Sequence, residues 1–529
     1  MSRSTDVLIV GAGPTGLMLA NQLARWGIRA TIIDRHAGPA EQTRAIGVHA
    51  RTLEIYAKLA IVERALESGR IASAANIWVA GRRRTRIPLG VMGEGISPYP
   101  FVLLLGQDDN EHLLAERLGH LGVNVAWRTE LIALEQKPDH VEASLRDPDD
   151  RVRMLAARYV AGCDGAKSTV RELNGIGFPG ASYEHVFFVA DAEATGPMVP
   201  DTLNVYLWRN GFHLYFPLRG TDRWRVIGIL PQALRGKEAV LFEDVVPSLR
   251  GEGGDGIAFK ACHWFSTYRI HHRVTERFRD RRCFLLGDAA HIHSPVGAQG
   301  MNTGLQDAYN LGWKLALAVS GRASDSLLDT YEAERLPVAQ RLLETTDRAF
   351  KLVVSDNWLG SLFRTRILPS VLALAMARER ARRFAFRTLS QTGIAYRASP
   401  LSQTLGKLSK DAPQPGDRFP WMQLRFRTGG SREDLFRHLD DTKFNLLVFG
   451  QRAASGDLGA PVDRLVVHEL AGDGDNAREL ARAGIKGPAF YLLRPDGHVG
   501  LAGAHLDPAA VHRWFEALGV SPSACAASR

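Results

Sequence analysis

Two short apolar segments near the start of the chain flank a segment with helical spacing. Asp6–Val10 and Arg29–Ile33 are rich in β-branched and apolar residues, as is typical of buried strands. Between them, Leu17–Trp26 repeats apolar residues at the spacing of an amphipathic helix. The pattern therefore predicts a strand–helix–strand unit, as in α/β domains.

The later pattern alternates between strands and helices. Residues 123–160 predict a small β-meander, and residues 175–278 combine many aromatic residues with strand-like alternation. Within them, Asn204–Trp208 and His213–Pro217 predict a hairpin. The other predicted elements are helices at Asp108–Leu118, Ser326–Phe350 and Ala373–Leu389, a linker at Tyr396–Leu405, strands at Phe444–Phe449 and Ala489–Leu493, and a closing helix at Pro508–Leu518.

Length and composition indicate a globular protein of several domains. The 529 residues correspond to about three domains at roughly 150 residues each. Hydrophobic residues make up 45%, no apolar run approaches the ~18 residues of a membrane span, and the N-terminus lacks the layout of a signal peptide. The four cysteines show no metal or redox spacing. We therefore expect a reduced, cytoplasmic protein with no metal site and no stable membrane insertion.

Two arginine clusters contribute to the formal net charge of +9. Arg82–Arg84 with Arg86 lie between the strand-like segments Ile77–Ala80 and Ile87–Leu89, which predicts a solvated hairpin turn. The second cluster, Arg378–Arg387, follows apolar residues in a helical register, so a solvated face or a weak membrane-surface contact fits it. Neither cluster belongs to a nucleic-acid-binding module. We expect no nucleic-acid partner.

The first strand is followed at once by a glycine-rich turn. Gly11, Gly13 and Gly16 have the spacing of the dinucleotide fingerprint, and Asp34 follows the second strand, where it can accept ribose hydroxyls. The start of the intervening helix supplies free N–H groups for phosphates. Both NAD(P) and FAD fit this fingerprint, so it predicts an adenine dinucleotide of either kind.

A second motif far downstream favours the flavin. Residues 282–304 predict a strand ending at Gly287-Asp288, a Pro/Gly loop, and a helix that begins near Gly300. Asp288 can bind a hydroxyl of the cofactor, while the N–H groups of Gly300, Met301 and Asn302 present a positive dipole. This arrangement suits the negative charge of a reduced flavin ring. The motif therefore predicts FAD.

With these residues the chain resembles the class A (single-component) FAD-dependent aromatic hydroxylases over residues 5–345. Three motifs carry the resemblance: Gly11–Gly16, Gly162–Arg171 and Gly287–Gly304. It implies a monooxygenase that uses NAD(P)H and O2 to hydroxylate a phenolic or polycyclic aromatic molecule through a flavin C4a-hydroperoxide. The alternatives are an FAD-dependent reductase or dehydrogenase without oxygen transfer, and a non-catalytic flavin-binding protein.

The resemblance also implies site residues. Arg44 and Gln107 match family residues that contact FAD, and Ile46 stands where phenol hydroxylases carry an aspartate base, which disfavours simple phenol. A base near the substrate hydroxyl would assist the reaction; its candidates are His49, His213 and Tyr215. The substrate pocket is predicted to include Trp208 and Pro295. The predicted cofactor-binding residues are Gly11, Gly13, Pro14, Thr15, Gly16, Asp34, Arg35, Arg44, Gln107, Asp164, Asp288, Pro295, Gly300, Met301 and Asn302.

The implied fold is α/β, with a Rossmann-like FAD-binding domain of the glutathione-reductase type. We expect this domain to comprise residues 1–175 and 279–400, and a substrate-binding β-sheet domain to occupy 176–278. Residues 401–529 resemble a thioredoxin-like domain without CxxC, as in the larger phenol and polyketide hydroxylases. Because every motif ends by Asp307, we expect residues 1–414 to bind FAD alone, although less stably. A homodimer is a further possibility.

Overall fold

The computed structural model describes residues 3–40, 45–208, 211–253, 256–294, 297–354, 358–427, 430–453, 464–471, 474 and 476–520. The α-helices in this part of the chain are α1 Pro14–Arg25, α2 Ala50–Lys58, α3 Val62–Ser68, α4 Gln107–His120, α5 Thr169–Leu173, α6 Phe242–Gly253, α7 Gly300–Val319, α8 Ser326–Val354, α9 Trp358–Leu362, α10 Leu368–Met376, α11 Glu379–Leu389, α12 Leu435–His438, α13 Ala477–Arg482 and α14 Pro508–Ala517. A π-helical turn, Phe363–Ile367, joins α9 to α10.

The first sheet, here called the nucleotide sheet, is parallel at its centre. Its strands lie in the order Arg279–Asp280, Cys283–Leu285, Val152–Gly162, Arg3–Val10 and Ala30–Ile33, and the predicted meander adds Val141–Arg146 and Glu130–Gln136. The last four strands in this order pair in parallel. Parallel sheets bury both faces, which explains why the second half of the first strand, Val7–Val10, is apolar throughout.

The second sheet, here called the wall sheet, has eight strands. Their order is His291–Ile292, Ala258–Val274, Gly180–Thr195, Arg223–Ile229, Gly211–Pro217, Leu203–Trp208, Ala75–Val79 and Arg82–Ile87. The predicted hairpin is confirmed. The predicted limits of the substrate domain, residues 176–278, omit three of these strands. Ala75–Val79 and Arg82–Ile87 join the sheet through a parallel pairing with Leu203–Trp208, and His291–Ile292 joins it by pairing with Ala258–Val274.

The third sheet, here called the C-terminal sheet, has the order Gln403–Leu405, Val499–Gly503, Ala489–Leu493, Phe444–Phe449 and Leu465–Leu470. Two small sheets complete the strands of the described chain: Gly47–Val48, Val102–Leu104 and Arg70–Ala72 form one, and Gln423–Leu424 with Glu433–Asp434 the other. The predicted linker at Tyr396–Leu405 is wrong at its end, because its last three residues pair with Val499–Gly503.

Three further expectations are corrected by the structure. Arg82–Ile87 is an edge strand, and the turn lies before it at Ala80 and Gly81, whose φ angles are 49° and 69°. The helix expected over Ala373–Leu389 is interrupted after Met376. The expectation that no segment is apolar enough to span a bilayer is also corrected. By length and composition alone, Trp358–Met376 could cross a membrane, and only 17% of it is buried.

One hydrophobic core joins the N-terminal and C-terminal parts. The cluster that contains the first strand and α7 extends to Phe444, Leu446 and Trp514. Buried ion pairs cross the same boundary: Arg418 bonds Glu54 of α2, and Arg494 bonds Glu334 of α8. Breaking a buried ion pair costs free energy of folding. The expectation that residues 1–414 bind FAD alone, although less stably, therefore needs revision.

Candidate active site

The turn between the first strand and α1 leaves open space at one glycine. Gly11 has a φ of 101°, and a side chain there would collide with the Cys163 carbonyl, while one at Gly16 would collide with the Gly11 carbonyl. A Cβ at Gly13 would meet no protein atom within 4 Å. A ligand phosphate can therefore approach the backbone closely at Gly13, as a pyrophosphate requires.

The first turn of α1 connects the glycine turn to the downstream motif. Gly13 caps the helix without a side-chain bond and Pro14 occupies the first turn, so the N–H groups that follow have no partner within the helix. Thr15 packs against two glycines of the second motif: a Cβ at Gly287 would lie 2.7 Å from Thr15 Oγ1, and one at Gly304 would also collide with it. The structure thus brings together motifs nearly 300 residues apart.

Asp34 lies at the end of the second strand beside this turn. Its Oδ2 accepts a hydrogen bond from Ala12 N (2.7 Å) and its Oδ1 accepts one from His36 N (2.8 Å). A carboxylate can accept about four hydrogen bonds, so ribose hydroxyls can still bind. Arg35 is exposed, and no contact of its side chain supports the predicted role.

Two further carboxylates follow strands of the nucleotide sheet. Asp164 Oδ2 accepts a bond from Val170 N (3.1 Å), whereas its Oδ1 is buried with no partner among the described residues; burial raises the pKa of this carboxyl. Asp288 is accessible to water, yet the surrounding protein raises its pKa by desolvation. Asp164 has an unused acceptor oxygen and Asp288 has an accessible carboxylate, so both groups suit cofactor hydroxyls.

The N-terminus of α7 presents free backbone donors. Gln299 caps the helix without a side-chain bond, so the N–H groups of Gly300, Met301 and Asn302 have no partner within the helix. These are the donors that the sequence predicts for the flavin edge.

The Asn302 side chain has a task of its own, separate from the role predicted for its backbone N–H. Its Nδ2 donates to Gly47 O and Ala298 O (2.9 Å each), and its Oδ1 accepts from His49 N (2.9 Å) and Thr52 Oγ1 (2.7 Å). These bonds use the side chain fully. Asn302 therefore joins the segment before α2 to the loop before α7, and only its backbone can bind the cofactor.

A buried ion network holds the Asp288 turn in place, and the sequence analysis did not identify it. Asp307 Oδ2 accepts bonds from Gly287 N (3.0 Å) and His291 Nε2 (2.7 Å), and Oδ1 accepts from Arg335 Nε (2.6 Å). Burial by itself raises the pKa of Asp307, but the charges of Arg335 and His291 outweigh it and lower the pKa. Asp307 follows the second motif by three residues, but its partner on α8 had no signal in the sequence.

The predicted residues near α4 are only partly described. Gln107 donates from its side chain to Glu111 (2.9 Å) and from its backbone to Ala45 O (3.2 Å), so it lies beside the segment that the resemblance assigns to FAD. Arg44 and Pro295 lie outside the described residues.

Two of the three candidate bases lie on one face of the wall sheet. Tyr206 pairs with His213, and Asn204 with Tyr215, so all four share a face, which packs under α6. Neither imidazole nitrogen of His213 nor the Tyr215 hydroxyl has a partner among the described residues. Burial lowers the pKa of His213 and raises that of Tyr215. The Trp208 ring packs against His213 at 3.9 Å between ring centres, with the two planes tilted by 48°.

The opposite face of the wall sheet is apolar and half-exposed. Val205 pairs with Leu214, and Leu203 and Phe216 lie on the same face, where they pack with the cluster that contains Ile46 and Ala50. Leu203, Val205, Leu214 and Phe216 are each only partly buried. This face is therefore turned toward the segment before α2, and His213 and Tyr215 are turned away from it.

Of the three candidate bases, His49 is the one that contacts the second motif among the described residues. Its Nε2 donates to the Gly297 carbonyl (2.7 Å), while its Nδ1 is buried and has no partner in the described part of the chain. Burial lowers the pKa of His49 to about 4, so the ring is neutral at pH 7. A neutral imidazole can accept a proton or hold a carbonyl, and here it holds the loop before α7.

Known proteins resemble the chain over nearly its full length. Residues 4–346 match the family model "FAD binding domain", and residues 412–517 match "Aromatic-ring hydroxylase, C-terminal". The 6-methylpretetramide 4-monooxygenase of Streptomyces rimosus is 32% identical, with 98% of this chain and 94% of that protein covered. The solved structure of OxyS anhydrotetracycline hydroxylase from Streptomyces rimosus has a TM-score of 0.77 and 31% identity, covering 95% and 96% of the two chains. The monooxygenase PieE, solved with FAD and substrate, has a TM-score of 0.79 and 25% identity, covering 98% of each.

Proposed function

Because the chain belongs to the class A FAD-dependent aromatic hydroxylases and is a flavoprotein monooxygenase, we propose that it hydroxylates a polycyclic phenol. The predictions of FAD and of an oxygenase are confirmed by this membership, and NAD(P)H is the usual reductant of the family. Relatives named for 6-methylpretetramide and anhydrotetracycline support a large aromatic substrate.

The observation that carries the proposal is the half-exposed apolar face of the wall sheet. Leu203, Val205, Leu214 and Phe216 form a broad apolar surface on one face of the sheet. Leu203 and Phe216 pack with the cluster that contains Ile46, whereas Val205 and Leu214 pack with the cluster that contains Phe350. A flat ring system gains about 25 cal/mol for each Å² of apolar surface that it buries. A multi-ring substrate covers more of this surface than a single phenol ring.

The residues present fit FAD. We assign the pyrophosphate to the open backbone at Gly13, the adenosine ribose to Asp34, and further cofactor hydroxyls to Asp164 and Asp288, because each has open space or an unused acceptor. The free N–H groups at the start of α7 would face the flavin ring. When bound there, FAD would supply the redox chemistry, in which hydride comes from NAD(P)H, one oxygen atom of O2 enters the aromatic ring and the other leaves as water.

The protein contributes positioning and the exclusion of water. The four bonds of the Asn302 side chain, together with the bond from His49 to Gly297, fix the loop before α7 against the segment before α2. The apolar wall keeps water from the reacting atoms, which protects reactive intermediates from hydrolysis. We propose His49 as a positioning residue, and we do not carry His213 or Tyr215 forward as bases because their face of the sheet is turned away.

We also propose that residues 401–529 form a thioredoxin-like domain with a structural role. A parallel pair, Phe444–Phe449 with Leu465–Leu470, is followed by an antiparallel hairpin and α14. Cys525 is the one cysteine of this region, so disulfide exchange within it is excluded. A cytoplasmic location and a homodimer complete the proposal.

The test compares phenol with two-, three- and four-ring phenols. We expect NAD(P)H oxidation and O2 uptake to rise most with multi-ring substrates, together with a product one oxygen atom heavier. A rate that is independent of O2 would instead indicate a reductase.

The wall is tested separately with Val205→Phe, which adds volume to the apolar face. We expect a higher KM for four-ring phenols and a smaller change for phenol, because only the larger ring system reaches this part of the wall. Val152→Phe is the control, since Val152 is 59% exposed on the nucleotide sheet. Equal effects of the two variants would contradict the proposed wall.

A further inference from the structure

An exposed apolar ridge runs along α9, the π-helical turn and α10. Its exposed side chains are Trp358, Leu359, Leu362, Ile367, Val371 and Leu374, between 40% and 68% accessible. Large apolar side chains grouped in this way on a surface mark an interaction site. The ridge is also the segment that is long and apolar enough to cross a membrane, yet Arg364 within it is buried and bonds the Trp208 carbonyl. The helix is thus anchored to the wall sheet.

The fold gathers both arginine clusters around this ridge. The edge strand Arg82–Ile87, which carries the first cluster, packs beside α10. The second cluster follows α10 directly and continues along α11. The exposed arginines of these elements are Arg82, Arg83, Arg84, Arg86, Arg366, Arg378, Arg380 and Arg387. Glu379 is the one acidic residue on α9, α10 and α11 as described.

The arginine rim and the apolar ridge together indicate which kind of partner this surface can bind. In a two-fold dimer through the ridge, the same positive rim would meet itself, and like charges repel. A nucleic acid would leave the apolar ridge uncovered. An anionic lipid surface satisfies both features, because arginines bind the headgroups while apolar side chains enter the interface.

The inner side of the same helices contacts the candidate substrate wall. Leu368 packs in the cluster that contains Leu207 and Phe212, and Met376 packs with Phe216 and Ile46. A molecule that partitions into the interface would therefore meet helices that cover the pocket. Polycyclic phenols partition in this way. Only this connection between the membrane surface and the substrate rests on the proposed function.

We propose that the ridge and its arginine rim dock the protein on the surface of an anionic membrane. The protein lies on the bilayer and does not span it. The partner is an anionic phospholipid headgroup surface, and the docked helices lie between that surface and the substrate wall.

The test measures co-sedimentation of the FAD-bound protein with vesicles. One set contains phosphatidylcholine alone and the other contains added phosphatidylglycerol. We expect binding to the anionic vesicles to be at least about tenfold stronger, and to be lost between ~0.1 M and ~1 M salt, where the screening length falls from about 10 Å to 3 Å. No aromatic substrate is present, so the result is independent of the hydroxylation assay.

Two variants separate the apolar and the charged parts. Val371→Glu with Leu374→Glu should abolish binding, whereas Leu241→Glu, at a position 60% exposed like Leu374, should not. Arg378→Glu with Arg380→Glu should reduce binding at least about tenfold. Acidic residues are favoured at the start of a helix such as α11, so this variant should fold. Its control is Arg151→Glu with Arg235→Glu, at exposed positions elsewhere.

The outcomes are distinct. Equal binding to neutral and anionic vesicles, or no binding to either, overturns the proposal. If sedimentation velocity shows a dimer that the ridge variant dissociates, a second copy is the occupant and the proposal is wrong. If all variants retain vesicle binding, the docking surface lies elsewhere.

Discussion

Arg494→Met should destabilise the whole chain, although the residue lies outside the flavin motifs. The Arg494 guanidinium is fully buried, where it donates to both oxygens of Glu334 (2.6 and 2.9 Å) and to Asp496. Lys314 of α7 donates to the same Glu334 (2.7 Å). Burial by itself raises the pKa of Glu334, but the charges of Arg494 and Lys314 outweigh it and lower the pKa to about 2.

The expected loss in the free energy of unfolding follows from the charges that remain after the substitution. Methionine fills much of the space but leaves two buried carboxylates facing one lysine ammonium. Removing one partner of a buried ion pair costs about 3–5 kcal/mol, so we expect the free energy of unfolding to fall by that amount. Arg513→Met is the control, because its pair with Asp507 is 3.3 Å long and exposed, and exposed pairs contribute little.

The assay is urea unfolding, followed by tryptophan fluorescence and by the fluorescence of released FAD. If Arg494 ties the C-terminal part to α7 and α8, both signals should shift together to lower urea. The reasoning is refuted if Arg494→Met is as stable as Arg513→Met. A shift of the tryptophan signal alone would show that the buried network does not support the flavin site.

Four further predictions follow from the site and its supports. Asp288→Ala should weaken FAD binding, measured by fluorescence titration of the apoprotein, because a hydrogen bond to a charged group contributes about 1.5–3 kcal/mol; an unchanged Kd would contradict the assignment. Asn302→Ala should raise the fraction of NAD(P)H oxidation that yields hydrogen peroxide, because it frees the loop before α7; unaltered coupling would argue against the clamp. The pKa of Glu334, about 2, lies below its ordinary value of 4.5, so its contribution is present above pH 4.5 and lost as the pH falls toward 2. Thermal melting across this range should show a steeper loss for the wild type than for Glu334→Gln. A chain of residues 1–414 lacks Arg418 and Arg494, so we now expect it to be unfolded and colourless; a folded yellow product would restore the modular interpretation.

Local patterns were sufficient for the cofactor site. The fingerprint from Gly11 to Asp34 consists of adjacent elements, so its strand, turn and helix could be predicted from neighbouring residues and were found within a few residues of the predicted limits. The wall hairpin and the C-terminal strands were predictable for the same reason. The second motif, residues 282–304, added what the fingerprint could not decide, which was the choice of FAD over NAD(P), and the resemblance agreed with it.

Contacts between residues far apart in the sequence decided the remaining features of the structure. The alternation in His213–Pro217 indicates two faces, but only the packing of α6 on one side and of Ile46 on the other shows which face is covered and which one we propose for the substrate. The buried charges of Glu334 and Arg494 belong to segments 160 residues apart, and neither residue differs in sequence from a surface charge. The sequence by itself determined the local elements and the nucleotide motif, because these depend on neighbouring residues. The pocket face, the buried ion network and the arginine rim arose only in the tertiary structure, because their members are brought together by strand order and helix packing.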